Sequence, residues 1–199
     1  MLIRIADIVI SIVGILFLSP LFLITAISIK VTSPGVIFFL QERVGRYEKK
    51  FFIIKFRTMY QSNDKNQSLL TTYRDLRITI VGKKLRKYKI DELPQLFNVL
   101  IGHMSIVGPR PEVEYFTNFY SYGEKKILFS VRPGLTDFST IFFINEEEIL
   151  NEVQNVDKFY IENILPKKIK LSKIYAQKPS LYKYFYIILL TLNKLFHRK

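Results

Sequence analysis

The sequence contains no cysteine and only two histidines, His103 and His197, in 199 residues. Without thiols there is no disulfide framework, zinc–thiolate site, iron–sulfur cluster or cysteine nucleophile. Two histidines argue against a multi-histidine metal site. Any metal bound here is therefore expected to sit among oxygen ligands, which favours a hard ion such as magnesium. Acidic residues are scarce too: 17 Asp and Glu stand against 30 Lys and Arg, a formal charge of +13. Apolar sequence is plentiful. Hydrophobic residues make up 49% and aromatic residues 15%, which excludes a disordered chain and a low-complexity or collagen-like fibre. The length fits one domain with a sizeable core and room for an appendage.

A surplus this basic attracts polyanions: nucleic acid, anionic lipid or phosphorylated small molecules. Residues 151–199 hold ten basic and three acidic residues, so more than half of the surplus lies in the last quarter. Soluble nucleic-acid binders rarely combine such charge with a mean hydropathy of +0.14. Residues 8–29 run for 22 positions without a charge. As a straight helix they would be about 33 Å long, close to one hydrocarbon core. No small-x-small cleavage site follows, so they do not read as a secretory signal peptide. Two topologies stay open. One is a single spanning helix. The other enters the bilayer and returns to the same face, kinked at Ser19-Pro20. There the proline removes a backbone donor, and the Ser19 hydroxyl can serve a freed carbonyl. Cations flank both ends (Arg4 before; Lys30, Arg43 and Arg46 after), which does not oppose both ends staying cytoplasmic.

Past Ser33-Pro34-Gly35 the pattern changes. Residues 36–44 and 51–59 read as the strands of a β-hairpin joined through 45–50. Phe52, Ile54 and Phe56 are expected on one face of the second strand, with Ile53, Lys55 and Arg57 on the other. Lys55 and Arg57 side by side either bind a phosphate or guard a solvated edge. Residues 61–72 form a polar loop or lid, containing a chance glycosylation sequon at Asn66-Gln67-Ser68. Residues 74–88 are helix-prone and basic. Asp91 fits an N-cap, Pro94 a first helical turn and Gly102 a helix end. Residues 104–107 are a short buried segment leading into the rigid turn Gly108-Pro109-Arg110-Pro111. Helices are expected over 111–122 and 124–131. Glu146, Glu147 and Glu148 are expected to form a solvated helix face. Residues 182–196 suit an interfacial helix, too short to span a bilayer and flanked by Lys183, Lys194, Arg198 and Lys199. The fold class is thus α+β. A compact, mostly helical domain with a small β-hairpin (33–181) lies between an apolar N-terminal segment (1–32) and a basic C-terminal helix (182–199).

Adjacent carboxylates at Asp91 and Glu92 point about 100° apart on a helix. At a first turn both can still reach one ligand or metal off the helix end. Arg86, Lys89, Arg110 and the helix N-terminus are expected to keep Asp91 ionised. An ionised carboxylate is a nucleophile that needs no base, and phosphorus is its natural electrophile in such basic surroundings. Carboxylate and diphosphate repel by about 4 kcal/mol at 4 Å and an effective dielectric of 20. Magnesium with Lys or Arg is the usual remedy. The plainer reading makes Asp91 an N-cap and Glu92 a first-turn acid.

Residues 91–112 read Asp-Glu-Leu-Pro-Gln-Leu-Phe-Asn-Val-Leu-Ile-Gly-His-Met-Ser-Ile-Val-Gly-Pro-Arg-Pro-Glu. This stretch resembles the signature of the bacterial sugar transferases known as small monotopic phosphoglycosyl transferases. Ser19-Pro20 is similar to that family's break in a re-entrant membrane helix. Gln41-Glu42-Arg43-Val44-Gly45 and Lys55-Phe56-Arg57-Thr58-Met59 resemble its hairpin motifs, and Arg132-Pro133-Gly134-Leu135-Thr136 its later turn. Matches run in order from about residue 3 to 136 and more loosely to the end.

The resemblance implies a definite reaction: transfer of a phosphosugar from a UDP-sugar to a polyprenyl (undecaprenyl) phosphate, with release of UMP. It implies that Asp91 attacks the sugar-linked phosphate and forms a covalent intermediate, that Glu92 assists, and that Mg2+ sits at Asp91. It places Lys55, Arg86 and Arg110 near the phosphates. It makes residues 1–32 a re-entrant helix and the protein monotopic, on the cytoplasmic face of the bacterial inner membrane among anionic lipids, with no nucleic-acid partner. The lack of a multi-span extension before this segment is what the family's small form would show.

Some positions depart from the pattern. His103 stands where aspartate is common, and Lys89-Ile90 replaces a small polar pair. Residues 137–145 diverge from the Gly-Trp-Ala-Gln-Val-Asn-Gly-Arg that often follows in the family, in a plausible donor-binding region. Two other readings remain: a membrane-tethered basic nucleic-acid binder, which explains the charge but not the ordered Gly/Pro motifs, and a catalytically dead membrane scaffold, which the intact dyad disfavours.

Overall fold

A computed structural model describes residues 1–60, 70–72 and 74–197. Most of the expected polar loop, including its sequon, and the cations Arg198 and Lys199 lie outside the described residues. The protein is α+β, mostly helical with a small antiparallel hairpin.

Helix α1 (Leu2–Thr32) is continuous through Pro20. The residue four before the proline, Leu16, is left with a carbonyl that the missing N–H cannot serve. The Ser19 hydroxyl donates to it at 2.8 Å, as the Ser-Pro pair suggested. Apolar and small residues at three- and four-residue spacing (Ala6, Ile10, Gly14, Leu18, Phe22, Ala26 and Ile29) face the domain. The opposite face leaves Leu16, Phe17, Leu23 and Ile24 exposed. Both ends are tied down. Arg4 donates to the carbonyls of Val99 at 2.6 Å and Leu100 at 2.9 Å. Buried Asp7 accepts from Ser105 Oγ, the Ile106 N–H and the Tyr184 hydroxyl, each at 2.9 Å. At the far end the guanidinium of Arg57 donates to the carbonyls of Ser33 and Pro34 and to Ser33 Oγ.

Strands β1 (Phe38–Val44) and β2 (Lys50–Phe56) pair antiparallel across a tight turn at Arg46–Glu48. Phe51 and Ile53 point into the core, and Lys55 follows them inward. The sequence put Ile53, Lys55 and Arg57 on one face. That holds for Ile53 and Lys55, but Arg57 lies past the strand and serves α1, so the two cations do not form a joint phosphate site.

Helix α2 (Ile80–Lys87) is shorter than the expected 74–88 because Thr79 caps it, accepting from the Gly82 N–H at 2.9 Å. Lys89 then takes a left-handed conformation, φ 56°, and turns the chain into a 3-10 turn, Ile90–Glu92. Helix α3 (Gln95–Ile101) follows and ends at Gly102 with φ 94°. Strands β3 (Ser105–Val107) and β4 (Gly134–Thr136) form a short parallel pair. They approach so closely that a Cβ on Gly134 would lie 2.1 Å from the Gly108 nitrogen, which only glycine permits. Between them lie α4 (Glu114–Thr117) and α5 (Tyr122–Leu128). The helix expected from Pro111 starts three residues later and lasts one turn. Helix α5 starts at Ser121, where a capping box with Glu124 satisfies both ends of the first turn.

The remainder is α6 (Phe138–Phe142), α7 (Glu146–Leu150), α8 (Val156–Phe159), a π-turn at Tyr160–Ile164, α9 (Leu165–Ala176) and α10 (Leu181–Phe196). Helix α10 buries Tyr184 and Ile187 and exposes Tyr182, Leu189 and Phe196.

One side chain of α3 fixes the helix against the hairpin. Asn98 accepts from the Ile54 N–H at 2.9 Å and donates to the Phe52 carbonyl at 2.7 Å, replacing a missing neighbour strand along β2. Asn98→Leu leaves two interior backbone groups without partners, at about 1–3 kcal/mol each. We expect a loss of about 2–6 kcal/mol in chemical denaturation. A variant as stable as the wild type would show that this edge is otherwise satisfied.

Candidate active site

The site is assembled from three segments: β2, the turn Ile90–Glu92, and the Gly108-Pro109-Arg110-Pro111 turn after β3. Both acids of the dyad are buried, Asp91 at 6% and Glu92 at 9% exposure. Two ionised carboxylates on adjacent residues repel strongly in a low-dielectric interior. The site relieves this by giving its cations to one of them. Lys55 Nζ lies 2.9 Å from Glu92 Oε1, Arg110 Nη1 donates to Glu92 Oε2 at 3.1 Å, and Arg110 Nη2 reaches Glu92 Oε1. Burial alone would raise the Glu92 carboxyl; Arg110 and Lys55 overcome it and hold the group well below the usual carboxylate range. Glu92 in turn raises the Arg110 guanidinium. The Lys55 ammonium is lowered, because its burial outweighs the attraction of Glu92.

Asp91 receives none of this. Its Oδ1 is buried without a hydrogen-bond partner among the described residues. Burial first, and then the negative charge of Glu92, push its carboxyl up to about 6, against the more distant pull of Lys55, Lys89 and Arg86. Two sequence expectations change here. Asp91 caps nothing: it lies inside the 3-10 turn, and Pro94 occupies the N-cap position of α3. Nor do the surrounding cations hold Asp91 below its ordinary range: burial and Glu92 outweigh them, and Lys55, the strongest of them, is paired with Glu92. At pH 7 it is still mostly ionised, about ten to one.

Of the three expected phosphate-binding cations, Lys55 and Arg110 meet at Glu92. Arg86 lies apart, paired with Glu147 on α7 at 2.7 Å and within 3.5 Å of Thr58 Oγ1. Ser19 and Pro20 sit in α1, away from this cluster. The acidic run is no solvated face: Glu147 holds Arg86, Glu146 holds Lys168 at 2.6 Å, and only Glu148 is exposed. Lys168 also lies 3.6 Å from Glu112, which accepts from the Tyr160 hydroxyl at 2.7 Å and pairs with Arg43 at 3.6 Å. Local sequence rules missed this second network because its members lie up to 125 residues apart.

A cavity of about 20 Å³, room for one water, is lined by Pro109, Arg110, Glu112, Lys168 and Ser172, and not by Asp91 or Glu92. The divergent segment after Thr136 forms α6, capped by Asp137, which accepts from the Thr140 N–H at 2.7 Å and from Ser172 Oγ at 2.5 Å. Among the described residues no three His, Cys, Asp or Glu side chains gather to hold a metal ion. One carboxylate with a free oxygen is enough for magnesium only when a substrate brings phosphate oxygens of its own. The free Asp91 Oδ1 fits that case.

The family described as bacterial sugar transferase matches residues 1–198. The chain is 39% identical over 167 residues to a UDP-N-acetylgalactosamine-undecaprenyl-phosphate N-acetylgalactosaminephosphotransferase of Aeromonas hydrophila, covering 79% of this chain and 38% of that protein. It is 34% identical over 198 residues to a UDP-glucose:undecaprenyl-phosphate glucose-1-phosphate transferase of Klebsiella pneumoniae, 98% of this chain and 40% of the relative. It is 37% identical over 172 residues to exopolysaccharide production protein ExoY of Sinorhizobium fredii, 79% of this chain and 75% of the relative. The chain thus spans about two fifths of the length of the first two relatives.

The state of Asp91 has a measurable consequence. A carboxyl whose pKa is higher folded than unfolded favours the fold at low pH and loses that contribution as pH rises through the folded value. The rise from 3.8 to about 6 amounts to at most about 3 kcal/mol. Asp91→Asn, which cannot ionise, is therefore expected to gain about 1 kcal/mol on the wild type between pH 5 and pH 8. Thermal midpoints of the two proteins at both pH values check this; a constant difference would contradict the burial of a free carboxylate.

Proposed function

This chain belongs to the bacterial sugar transferase family, and we propose that it transfers a phosphosugar from a UDP-sugar to a polyprenyl phosphate, releasing UMP and initiating membrane glycoconjugate synthesis. The observation that carries the reading is the division of the dyad: Glu92 holds Lys55 and Arg110, while Asp91 Oδ1 stays buried and unpartnered. A buried carboxylate oxygen with no hydrogen bond is poorly stabilised and therefore reactive.

In the first step an Asp91 oxygen attacks the phosphorus that carries the sugar. A new O–P bond forms, the bridging P–O bond breaks, and its electron pair leaves with UMP. In the second step the phosphate oxygen of the lipid attacks the same phosphorus, and the Asp91–phosphorus bond breaks to regenerate the carboxylate. Glu92 keeps two cations beside the reacting phosphorus without neutralising the nucleophile. Arg86 joins them when a phosphoryl oxygen replaces Glu147.

Charge supports a role for magnesium. Lys55, Arg86 and Arg110 balance Asp91, Glu92 and Glu147, which leaves Lys89 as a further cation acting on the dyad against the several charges of an incoming diphosphate. Asp91 and the substrate oxygens would hold the ion, which supplies Lewis-acid neutralisation of the phosphates.

The place of action follows from α1. Among the described residues it is the one helix long and apolar enough to cross a membrane. Yet Arg4 and Asp7 near its start, and Ser33 and Pro34 just past its end, all bind the same domain. A helix crossing the bilayer would put one of those ends out of reach. This supports a monotopic protein with both ends on the cytoplasmic face of the bacterial inner membrane, against anionic lipid.

Two outcomes test the proposal. Enzyme without lipid should exchange labelled UMP into UDP-sugar, because the first half-reaction is complete in itself. Asp91→Asn should abolish exchange and turnover while the protein stays folded, and EDTA should suppress both. No UMP release from any UDP-sugar with lipid present would return the scaffold reading. For topology, single cysteines placed beside Met1 and near Ser33, at the exposed Val36, in this cysteine-free chain should both resist a membrane-impermeant thiol reagent in intact cells. Labelling of one site alone would establish a spanning helix.

A further inference from the structure

We propose that Gln95 is a second substrate-contacting residue of this site, its side-chain amide donating a hydrogen bond to the phosphoryl group that Asp91 attacks. The proposal rests on the assignment of Asp91 as nucleophile. Gln95 is 2% exposed, and its Nε2 has no hydrogen-bond partner among the described residues. Asp91 Oδ1, four residues earlier, is in the same condition. Leu93 and Pro94 between them keep right-handed helical geometry, so the 3-10 turn runs on into α3. Residues four apart on a helical path are surface neighbours.

A buried donor and a buried acceptor therefore lie one turn apart and do not satisfy each other. Buried polar groups in folded proteins almost always have partners. A phosphoryl group is a ligand that takes both, offering phosphorus to the carboxylate and oxygens to the amide. The choice of residue fits the same logic. A cation at position 95 would pair permanently with Asp91 in the free protein, as Lys55 and Arg110 do with Glu92, and hold it from the substrate phosphates and the ion they bring. A neutral amide holds the phosphoryl oxygens without that cost. No bond forms or breaks at Gln95, and no proton moves there; its work is to orient phosphorus toward Asp91 and to meet the charge on its oxygens.

The test is Gln95→Met, which keeps the shape and removes the donor. UMP exchange into UDP-sugar without lipid should fall about 10- to 100-fold, the value of one hydrogen bond to a charged acceptor. The thermal midpoint should stay the same or rise, because the wild-type amide has no partner in the free protein to lose. Exchange within about twofold of wild type, a lowered midpoint, or failure to fold would each overturn the inference, the last two by showing that the amide is structural. Asp91→Asn in the same assay separates the two claims. If Asp91→Asn is dead and Gln95→Met is fully active, only the role of Gln95 falls. If Asp91→Asn exchanges normally, the nucleophile assignment falls and this inference with it.

Discussion

Glu92 is the group on which the site turns. Its burial would raise its carboxyl, but it is paired twice, with Lys55 from β2 and Arg110 from the turn after β3, which holds it ionised. Each partner arrives by its own structural device. Asn98 splices α3 onto the free edge of β2, which sets Lys55 against the dyad. The glycine-only contact between Gly108 and Gly134 brings β3 against β4, immediately before Arg110. Removing Glu92 would strand two buried cations at once. The same pairing determines its neighbour: cations committed to Glu92 are not available to quench Asp91.

A second set of charges attaches the C-terminal half. Arg43, Glu112, Tyr160, Lys168 and Glu146 form one connected network, and Arg86 is held from α7 by Glu147. Asp137 joins α6 to α9 through Ser172. On the other side α1 is held through buried polar groups at Asp7, near its start, and at Ser33, just past its end. Its apolar side chains Leu16, Phe17, Leu23 and Ile24 are exposed, while Asp7, Ser11 and Thr25 are buried.

Much of this was legible in the sequence because the controlling signals are local. The hairpin showed in two β-prone runs across a turn, the end of α3 in Gly102, and the service of Leu16 by Ser19 in the Ser-Pro pair. The cluster of Lys55, Arg110 and the dyad came from resemblance rather than from spacing. What stayed hidden depends on pairing across long sequence separations. The run Glu146-Glu147-Glu148 looks solvated until Lys168 and Arg86 arrive beside it. Arg57 looks like a partner of Lys55 until the strand ends at Phe56, one residue before it. Asp91 looks like a capping, cation-stabilised acid until Lys55 and Arg110 pair with Glu92. Gln95 offered no local signal beyond its position one turn after Asp91.

The central claim is that Asp91 itself carries the phosphosugar. Intact-protein mass spectrometry after acid quench, on enzyme mixed with UDP-sugar and magnesium in the absence of lipid, tests it directly. The account predicts a mass increase of one phosphosugar, located by digestion to the peptide bearing Asp91 and discharged on adding polyprenyl phosphate. An enzyme that turns over with lipid yet never gains that mass, or gains it at another residue, would contradict it.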